Sequence, residues 1–150
     1  MTLIYVQISH AQNSPQDYVY AHNIARSAVG VGPIEWDDQV AAYAAQYASQ
    51  RAGDCALQNS PGPYGENLAV GSGEFMTGVA AVKLWVGEQT NYNYDTNTCD
   101  KGQQCREYTQ VVWRDSVRLG CARVQCGYNG SYFVTCNYYP PGNYFGEKPY

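Results

Sequence analysis

Basic residues and long apolar runs are scarce in this sequence. Its 150 residues include 9 lysines and arginines against 13 aspartates and glutamates, which gives a net charge of −4. Binding to nucleic acid or to an anionic membrane surface requires a basic face, so this balance argues against both partners. No apolar run reaches the roughly 20 residues of a transmembrane helix, which argues against integral membrane association.

Clustered cysteines of the Cys-x-x-Cys type are also absent, and such clusters are typical of protein zinc sites. The sequence instead has an even number of dispersed cysteines: Cys55, Cys99, Cys105, Cys121, Cys126 and Cys136. This pattern predicts disulfide bonds formed in an oxidising compartment outside the cytosol. The spacing leaves the pairing open, although Cys99 and Cys105 are close enough to clasp a short loop.

The N-terminal segment is similar to the end of a secretion signal. Residues 2–8 are mostly apolar, and Ser9-His10-Ala11 has small residues at the positions that a signal peptidase requires. We therefore predict that residues 1–11 are a residual signal peptide and that residues 12–150 form one secreted domain. The alternative is an ordinary first strand.

Turn signals and hydrophobic periodicity predict helices followed by a hairpin. We predict helices from Pro15 to Gly30, from Asp37 to about Arg51 and from about Thr77 to Glu88, and strands from Leu119 to Cys126 and from Ser131 to Tyr138. Residues 59–73 and 91–104 are rich in turn formers and are predicted to be loops. This order indicates an α+β fold, in which helices cover an antiparallel sheet.

Asn129-Gly130 lies between the two predicted strands and favours a tight hairpin turn. The same dipeptide begins the sequon Asn129-Gly130-Ser131, which makes Asn129 a candidate glycosylation site.

Residues 105–113 read Cys-Arg-Glu-Tyr-Thr-Gln-Val-Val-Trp. This stretch resembles Gly-His-Tyr-Thr-Gln-Val-Val-Trp, a signature of the CAP superfamily (cysteine-rich secretory proteins, antigen 5 and plant pathogenesis-related class 1 proteins). Further stretches that resemble the plant class occur in family order: His22–Arg26, Gly53–Cys55, Pro63–Leu68, Trp85–Glu88, Asn91–Tyr94 and Cys136–Tyr139. The resemblance implies a three-layer α-β-α sandwich with a central antiparallel sheet, and the pairings Cys55–Cys126, Cys99–Cys105 and Cys121–Cys136.

The family's cleft carries two histidines and two glutamates that can hold a divalent metal. The corresponding positions here are Asn59, Glu66, Glu88 and Glu107, so both histidines are missing. Because imidazole favours zinc, the resemblance implies that the zinc site is lost and that no cofactor is bound. If the three glutamates converge, repulsion should raise at least one pKa, or Ca²⁺ or Mg²⁺ should bind weakly. Alternatively, Glu107 turns aside onto Arg106 or another donor.

The resemblance further implies a non-enzymatic plant defence protein of the apoplast. Plant relatives are associated with sterol sequestration, which predicts a sterol or fatty-acid ligand and an antimicrobial or antifungal role. Tyr92 and Tyr94 are candidates to contact that ligand, although these tyrosines could equally pack their own loop. Several relatives are allergens, which makes IgE a further candidate partner.

Two alternative functions remain open. Paired carboxylates are able to do general acid–base work, which would suit a hydrolase or protease. However, His22 is the only histidine after residue 11, and we expect it to be a hydrogen-bonded helix residue. A serine or cysteine nucleophile would then have no histidine to activate it as a base. The second alternative is a peptide precursor, because residues 140–150 match the tail Pro-x-Gly-Asn-x5-Pro-Tyr that relatives release as a defence signal.

Overall fold

The structure, a computed structural model, describes residues 12–150. The helices are α1 (Pro15–Ala28), α2 (Asp38–Arg51), α3 (Gly78–Gly87) and α4 (Arg106–Val111), and the strands are β1 (Glu35–Trp36), β2 (Gly65–Ser72), β3 (Tyr92–Asn93), β4 (Thr98–Cys99), β5 (Arg118–Gln125) and β6 (Ser131–Tyr139). The proposed signal remnant at 1–11 lies outside the described residues. Within 12–150, no helix combines the length and the apolar character needed to cross a membrane.

The main sheet has the strand order β1-β5-β6-β2. Strand β6 lies between β5 and β2 and pairs with both in antiparallel register, as the hairpin signal predicts. Among the strands of residues 12–150, only β1 runs parallel to its neighbour, β5, in this sheet. The sheet is therefore antiparallel except at one short edge strand.

Helices cover both faces of this sheet. On one face, α2 packs against β5 and β6, with Tyr47 and Phe133 in its core. On the other face, the core joins α1, α3 and α4 around Val134, Trp85 and Tyr138. Consecutive β6 residues point to opposite faces, as strand geometry requires. The predicted three-layer sandwich is confirmed.

Strand β5 accommodates α2 at Gly120. A Cβ atom at this position would lie 2.1 Å from the Ala41 backbone nitrogen, so only glycine permits the close approach. This contact sets the distance between α2 and the sheet.

The disulfides are Cys55–Cys126, Cys99–Cys105 and Cys121–Cys136, which confirms the pairing implied by the resemblance. Each bond restricts the unfolded chain and contributes about 2–4 kcal/mol. Cys99–Cys105 joins β4 to the start of α4, and therefore fixes the loop beside the cleft.

The prediction of a loop over residues 59–73 is wrong from Gly65 onward, because β2 occupies Gly65–Ser72. The glycines permit close packing here: a Cβ at Gly65 would lie 2.1 Å from Gln110 Oε1, and one at Gly71 would lie 2.4 Å from Met76 Cε. Residues 91–104 likewise contain the small β3–β4 pair. The β2–β6 and β3–β4 pairings were not predicted because the turn-forming composition of these segments favours loops.

Arg26 is a buried cation that joins α1 to the end of α4. Its guanidinium donates to the carbonyl oxygens of Gly32 (2.8 Å), Val111 (3.1 Å), Trp113 (2.9 Å) and Arg114 (3.4 Å). Burial lowers the pKa of Arg26 to about 10, which leaves it charged at neutral pH. These bonds satisfy carbonyls that a short helix leaves without partners.

Candidate functional site

A central cleft of about 340 Å³ opens between α4, β2 and the C-terminal segment. Its lining includes three of the four family cleft positions, Asn59, Glu66 and Glu107. The remaining lining is largely polar and includes Arg106 and Gln110. Glu88 is not among the lining residues, and the donors within the cleft decide what it can hold.

Glu66 is held by protein donors on both carboxyl oxygens. Oε1 accepts from the Ser60 backbone N–H (2.7 Å) and from Asn59 Nδ2 (3.1 Å). Oε2 accepts from Ser60 Oγ (2.6 Å) and from Asn137 Nδ2 (2.9 Å). A cation approaching Glu66 would have to displace these bonds, which are already satisfied without it.

Glu88 and Glu107 form a second pair, because the carboxyl of Glu107 lies close enough to that of Glu88 to raise its pKa. Burial and the adjacent Glu107 raise the pKa of Glu88 to about 7, although Glu88 accepts from the Tyr108 backbone N–H at 3.0 Å. Glu107 Oε2 is buried and has no donor among the described residues when both carboxyls are ionised. A proton on Glu88 supplies a donor to Glu107, so one proton holds the pair together.

The four family positions thus separate into two pairs, Asn59–Glu66 and Glu88–Glu107. Within residues 12–150, no group of three or more histidine, cysteine, aspartate or glutamate side chains is placed to hold a metal ion. Glu107 turns to Glu88, not to Arg106 as one sequence alternative had it. Zinc does not fit this donor set, which offers carboxylates and an amide but no imidazole.

His22 is not available to the cleft. Its Nδ1–H donates to the Tyr18 carbonyl (2.8 Å), and its Nε2 accepts from the Tyr138 hydroxyl (2.7 Å). Burial lowers the pKa of His22 to about 4, so the ring is neutral. The expectation of a hydrogen-bonded helix histidine is confirmed. Asn67 extends this network, since its Nδ2 donates both to the Tyr138 hydroxyl (3.3 Å) and to the Glu107 carbonyl (2.9 Å).

The two candidate lipid-contacting tyrosines pack against their own chain. Tyr94 stacks on the C-terminal Tyr150, with ring centroids 4.6 Å apart and planes 6° apart. Tyr92 lies beside Tyr108 and donates its hydroxyl to Asn97 Oδ1 at 2.6 Å. Both rings therefore make packing contacts within the chain, while Tyr92 also lines a groove with Trp113 and Phe145, so their contact with a lipid stays a prediction.

A more apolar groove lies between α1 and α3, with a volume of about 340 Å³. Its residues are Gln12, Asp17, Tyr20, Ala21, Ile24, Ala25, Val79, Val82, Lys83 and Val86. Val79, Val82 and Val86 recur at helical spacing and so share one face of α3, but this spacing does not show that small α1 residues leave space opposite them. Tyr20 and Ile24 line the groove and are exposed, and adjacent exposed apolar side chains on one helix face are a recognisable signal of a binding surface.

Asn129 is exposed in the β5–β6 turn, and its Oδ1 accepts from the Ser131 backbone N–H at 3.0 Å. The turn is accessible to a glycan, and occupancy remains a prediction.

The Glu88–Glu107 pair predicts that folding stability falls as pH rises from about 5 to above 7. The folded pKa of Glu88 is about 7 against an ordinary value of 4.5, so the folded state binds the extra proton. Its stabilising contribution is complete below pH 4.5 and is lost as pH rises through 7. Glu88→Gln, which keeps a donor at every pH, should flatten this part of the stability profile.

Urea unfolding of wild type and Glu88→Gln across this pH range measures the effect. The exposed Glu147→Gln is the matched control and should follow wild type. Identical pH dependence in wild type and Glu88→Gln would contradict the shared proton.

Comparison with known proteins supports the same scaffold. Residues 19–138 match the family model CAP, described as the cysteine-rich secretory protein family. The chain is 64% identical over 151 residues to pathogenesis-related protein PR-1 type of Sambucus nigra, covering 100% of this chain and 90% of that protein. It is also 64% identical over 151 residues to pathogenesis-related protein 1A of Nicotiana tabacum, covering 99% and 89%.

Solved structures agree on the fold. Venom allergen-like protein 4 of Schistosoma mansoni superposes with a TM-score of 0.72 at 28% identity, covering 95% of both chains. NaASP2, solved with Zn²⁺, superposes with a TM-score of 0.75 at 23% identity, covering 99% of this chain and 90% of that chain. The second likeness extends to the fold alone, and its zinc belongs to that protein.

Proposed function

Since this chain belongs to the cysteine-rich secretory protein family and its relatives are plant pathogenesis-related 1 proteins, we propose that it is a secreted defence protein that binds a sterol or fatty acid in the α1–α3 groove. The defence role follows from relatives at 64% identity over the whole chain. The lipid ligand and its binding site go beyond what these relatives support. The observation that carries this step is the apolar groove itself.

The α1–α3 groove has the chemistry that a lipid needs. Val82 and Ala25 are buried at its base, while Ile24 beside it is 56% exposed. A volume of about 340 Å³ lies within the usual range of small-molecule sites. Lys83 is exposed among the groove residues, where its ammonium suits a fatty-acid carboxylate or a sterol hydroxyl.

Binding should depend on the apolar wall. Ile24→Glu places a charge against the bound hydrocarbon and should weaken binding of radiolabelled cholesterol or palmitate at least about tenfold, because desolvating an unpaired carboxylate costs more than 1.4 kcal/mol. Leu84→Glu is the matched control, since Leu84 is 57% exposed on α3 but does not line the groove. If binding is saturable but unaffected by Ile24→Glu, the lipid site lies outside the α1–α3 groove. If no saturable binding is found, the proposal that the protein binds lipid is wrong.

The proposed action requires no enzymatic step. Within residues 12–150 every cysteine is in a disulfide, and both ring nitrogens of His22 are engaged, so neither a cysteine nor His22 supplies a nucleophile–base pair. Sequestration of membrane lipid from a microbe would give antimicrobial activity by binding alone. The disulfide framework suits the apoplast and also a stable antigen for IgE.

A second candidate function is that of a peptide precursor. One observation favours it: the tail 140–150 begins directly where β6 ends, and Tyr139 at that boundary is half exposed. Hydrolysis after Tyr139 would therefore leave the sheet whole. Mass spectrometry of wounded tissue should detect the eleven-residue peptide 140–150, and its consistent absence would count against release.

A further inference from the structure

The C-terminal segment 140–150 is fixed at its beginning by polar contacts to α4 and the following turn. Ser116 Oγ donates to the Pro140 carbonyl at 2.7 Å, and the Gly142 N–H donates to Gln110 Oε1 at 3.0 Å. Asn143 Oδ1 accepts from Thr109 Oγ1 at 2.6 Å. These contacts place the start of the segment across the cleft.

The segment then leaves the domain surface in a turn. The Glu147 N–H donates to the Tyr144 carbonyl at 3.1 Å, and Gly146 has a φ of 77°, which glycine adopts easily. Phe145 at the tip of this turn is fully exposed. The turn therefore separates the contacts of residues 140–143 with α4 from the contacts made by the last residues of the segment.

The final two residues return to the domain and are held by both backbone and side chain. Pro149 is buried, and its carbonyl accepts from the Arg114 N–H at 2.8 Å. The Tyr150 ring stacks on Tyr94, whose hydroxyl donates to the Tyr150 carbonyl. Tyr150 also packs against the core that contains Tyr108.

This arrangement has the form of a peptide docked by its C-terminus. A stacked aromatic pair contributes roughly 0.5–1.5 kcal/mol beyond the burial of its area, and an aromatic ring in a pocket is a common binding anchor. The proline adds a residue that loses little freedom on binding. Glu147 and Lys148 also touch the domain, since Asn97 Nδ2 donates to the Glu147 carbonyl at 3.2 Å and the Lys148 ammonium lies 4.5 Å from the Tyr94 ring centroid. The buried ring of Pro149 and the stacked ring of Tyr150 are the apolar part of this attachment.

We propose that Tyr94, Tyr108 and the Arg114 backbone N–H form a binding site for a Pro-Tyr peptide segment, which Pro149 and Tyr150 of the same chain fill. The site does not depend on lipid binding. Its consequence for signalling rests on the precursor function proposed above. Hydrolysis after Tyr139 would leave the peptide bound without a covalent link, and release would require Tyr150 to leave Tyr94.

Binding in trans tests the site directly. A recognition sequence for a site-specific protease is inserted between Phe145 and Gly146, in the exposed turn, and the folded protein is cut and dialysed. Fluorescently labelled Gly-Glu-Lys-Pro-Tyr is then titrated by anisotropy. The cut protein should bind it saturably, whereas the uncut protein should not, because its tethered C-terminus competes at about millimolar effective concentration. The peptide ending in Pro-Ala should bind at least about tenfold more weakly.

Two outcomes of the titration would overturn the proposal: no saturable binding to the cut protein, or equal binding to the cut and uncut proteins. Neither depends on processing in tissue, so failure of the precursor function would leave a positive result standing.

Hydrogen exchange in the uncut chain provides a second test that does not require the cut protein to stay folded. The Arg114 amide, which donates to Pro149, should exchange at least about tenfold faster in Tyr94→Ala than in wild type, because the C-terminus opens more often. Tyr128→Ala is the control, since Tyr128 is an exposed tyrosine that lies in the β5–β6 turn, outside the proposed peptide site. Unchanged exchange at Arg114 in Tyr94→Ala would also overturn the proposal.

Discussion

Replacing Asn59 and Glu107 together by histidine is expected to create a zinc site. Both positions line the central cleft with Glu66, and Glu88 lies against Glu107. The double variant supplies two imidazoles, which suit zinc, and removes both the Asn59 bond to Glu66 and the Glu107 carboxyl beside Glu88, so the two retained carboxylates are freer to turn toward a shared ion. At position 59 the imidazole also reaches farther into the cleft than the amide does. Calorimetric titration should show one-to-one zinc binding in the micromolar range, roughly 100-fold or more tighter than wild type.

The control is Asn59→Gln with Glu107→Gln, which alters the same positions without adding imidazole. This variant should bind no zinc. A tight one-to-one zinc site in wild type would refute the loss of the metal site. No gain in the histidine variant would show that the four positions do not surround a common point.

Arg26→Met is expected to lower the free energy of unfolding by about 4 kcal/mol. Methionine fills much of the space but leaves the carbonyls of Gly32, Val111 and Trp113 without their donor. A buried acceptor that loses its partner costs about 1–3 kcal/mol, and the contact between α1 and the end of α4 weakens at the same time. Urea unfolding measures the change. A loss of less than about 1 kcal/mol would mean that water or rearranged backbone replaces the guanidinium.

Arg118→Met is the matched control for Arg26→Met. Arg118 is an exposed arginine whose guanidinium lies 2.9 Å from Glu35 at the surface. Exposed ion pairs contribute about 0–1 kcal/mol, so this variant should remain close to wild type. Comparing the two variants distinguishes the stability lost with a buried, hydrogen-bonded guanidinium from the stability lost with a positive charge alone.

The sequence predicted the elements whose signals are local. Ser14 with Pro15 marked the start of α1, and Asp37 marked the start of α2; both side chains cap their helices in the structure. Asn129-Gly130 marked the hairpin between β5 and β6. These signals need no knowledge of distant partners, which explains why their positions were accurate to one or two residues.

Other features depend on distant partners and could not be derived from local signals. Gly65 and Gly71 resemble turn residues until β6, Gln110 and Met76 are seen beside them. The disulfide pairing came from the family resemblance, because spacing alone left it open.

The candidate site shows the same division. The resemblance identified Asn59, Glu66, Glu88 and Glu107, and the loss of two histidines was visible in the sequence. Their separation into two pairs was not, because it depends on donors from Ser60 and Asn137 to Glu66. The sequence offered Tyr94 either a ligand contact or packing within its loop, and it could not show the stacking partner Tyr150, which lies 56 residues away.

The central claim is that this protein binds lipid without zinc. The most direct test is saturation binding of radiolabelled cholesterol and palmitate to the whole protein, performed once with excess EDTA and once with added Zn²⁺. We expect at least one lipid to bind with the same affinity and stoichiometry in both conditions, because the α1–α3 groove contains no metal ligand set among the described residues. Binding that appears only with Zn²⁺, or that EDTA abolishes, would contradict the account.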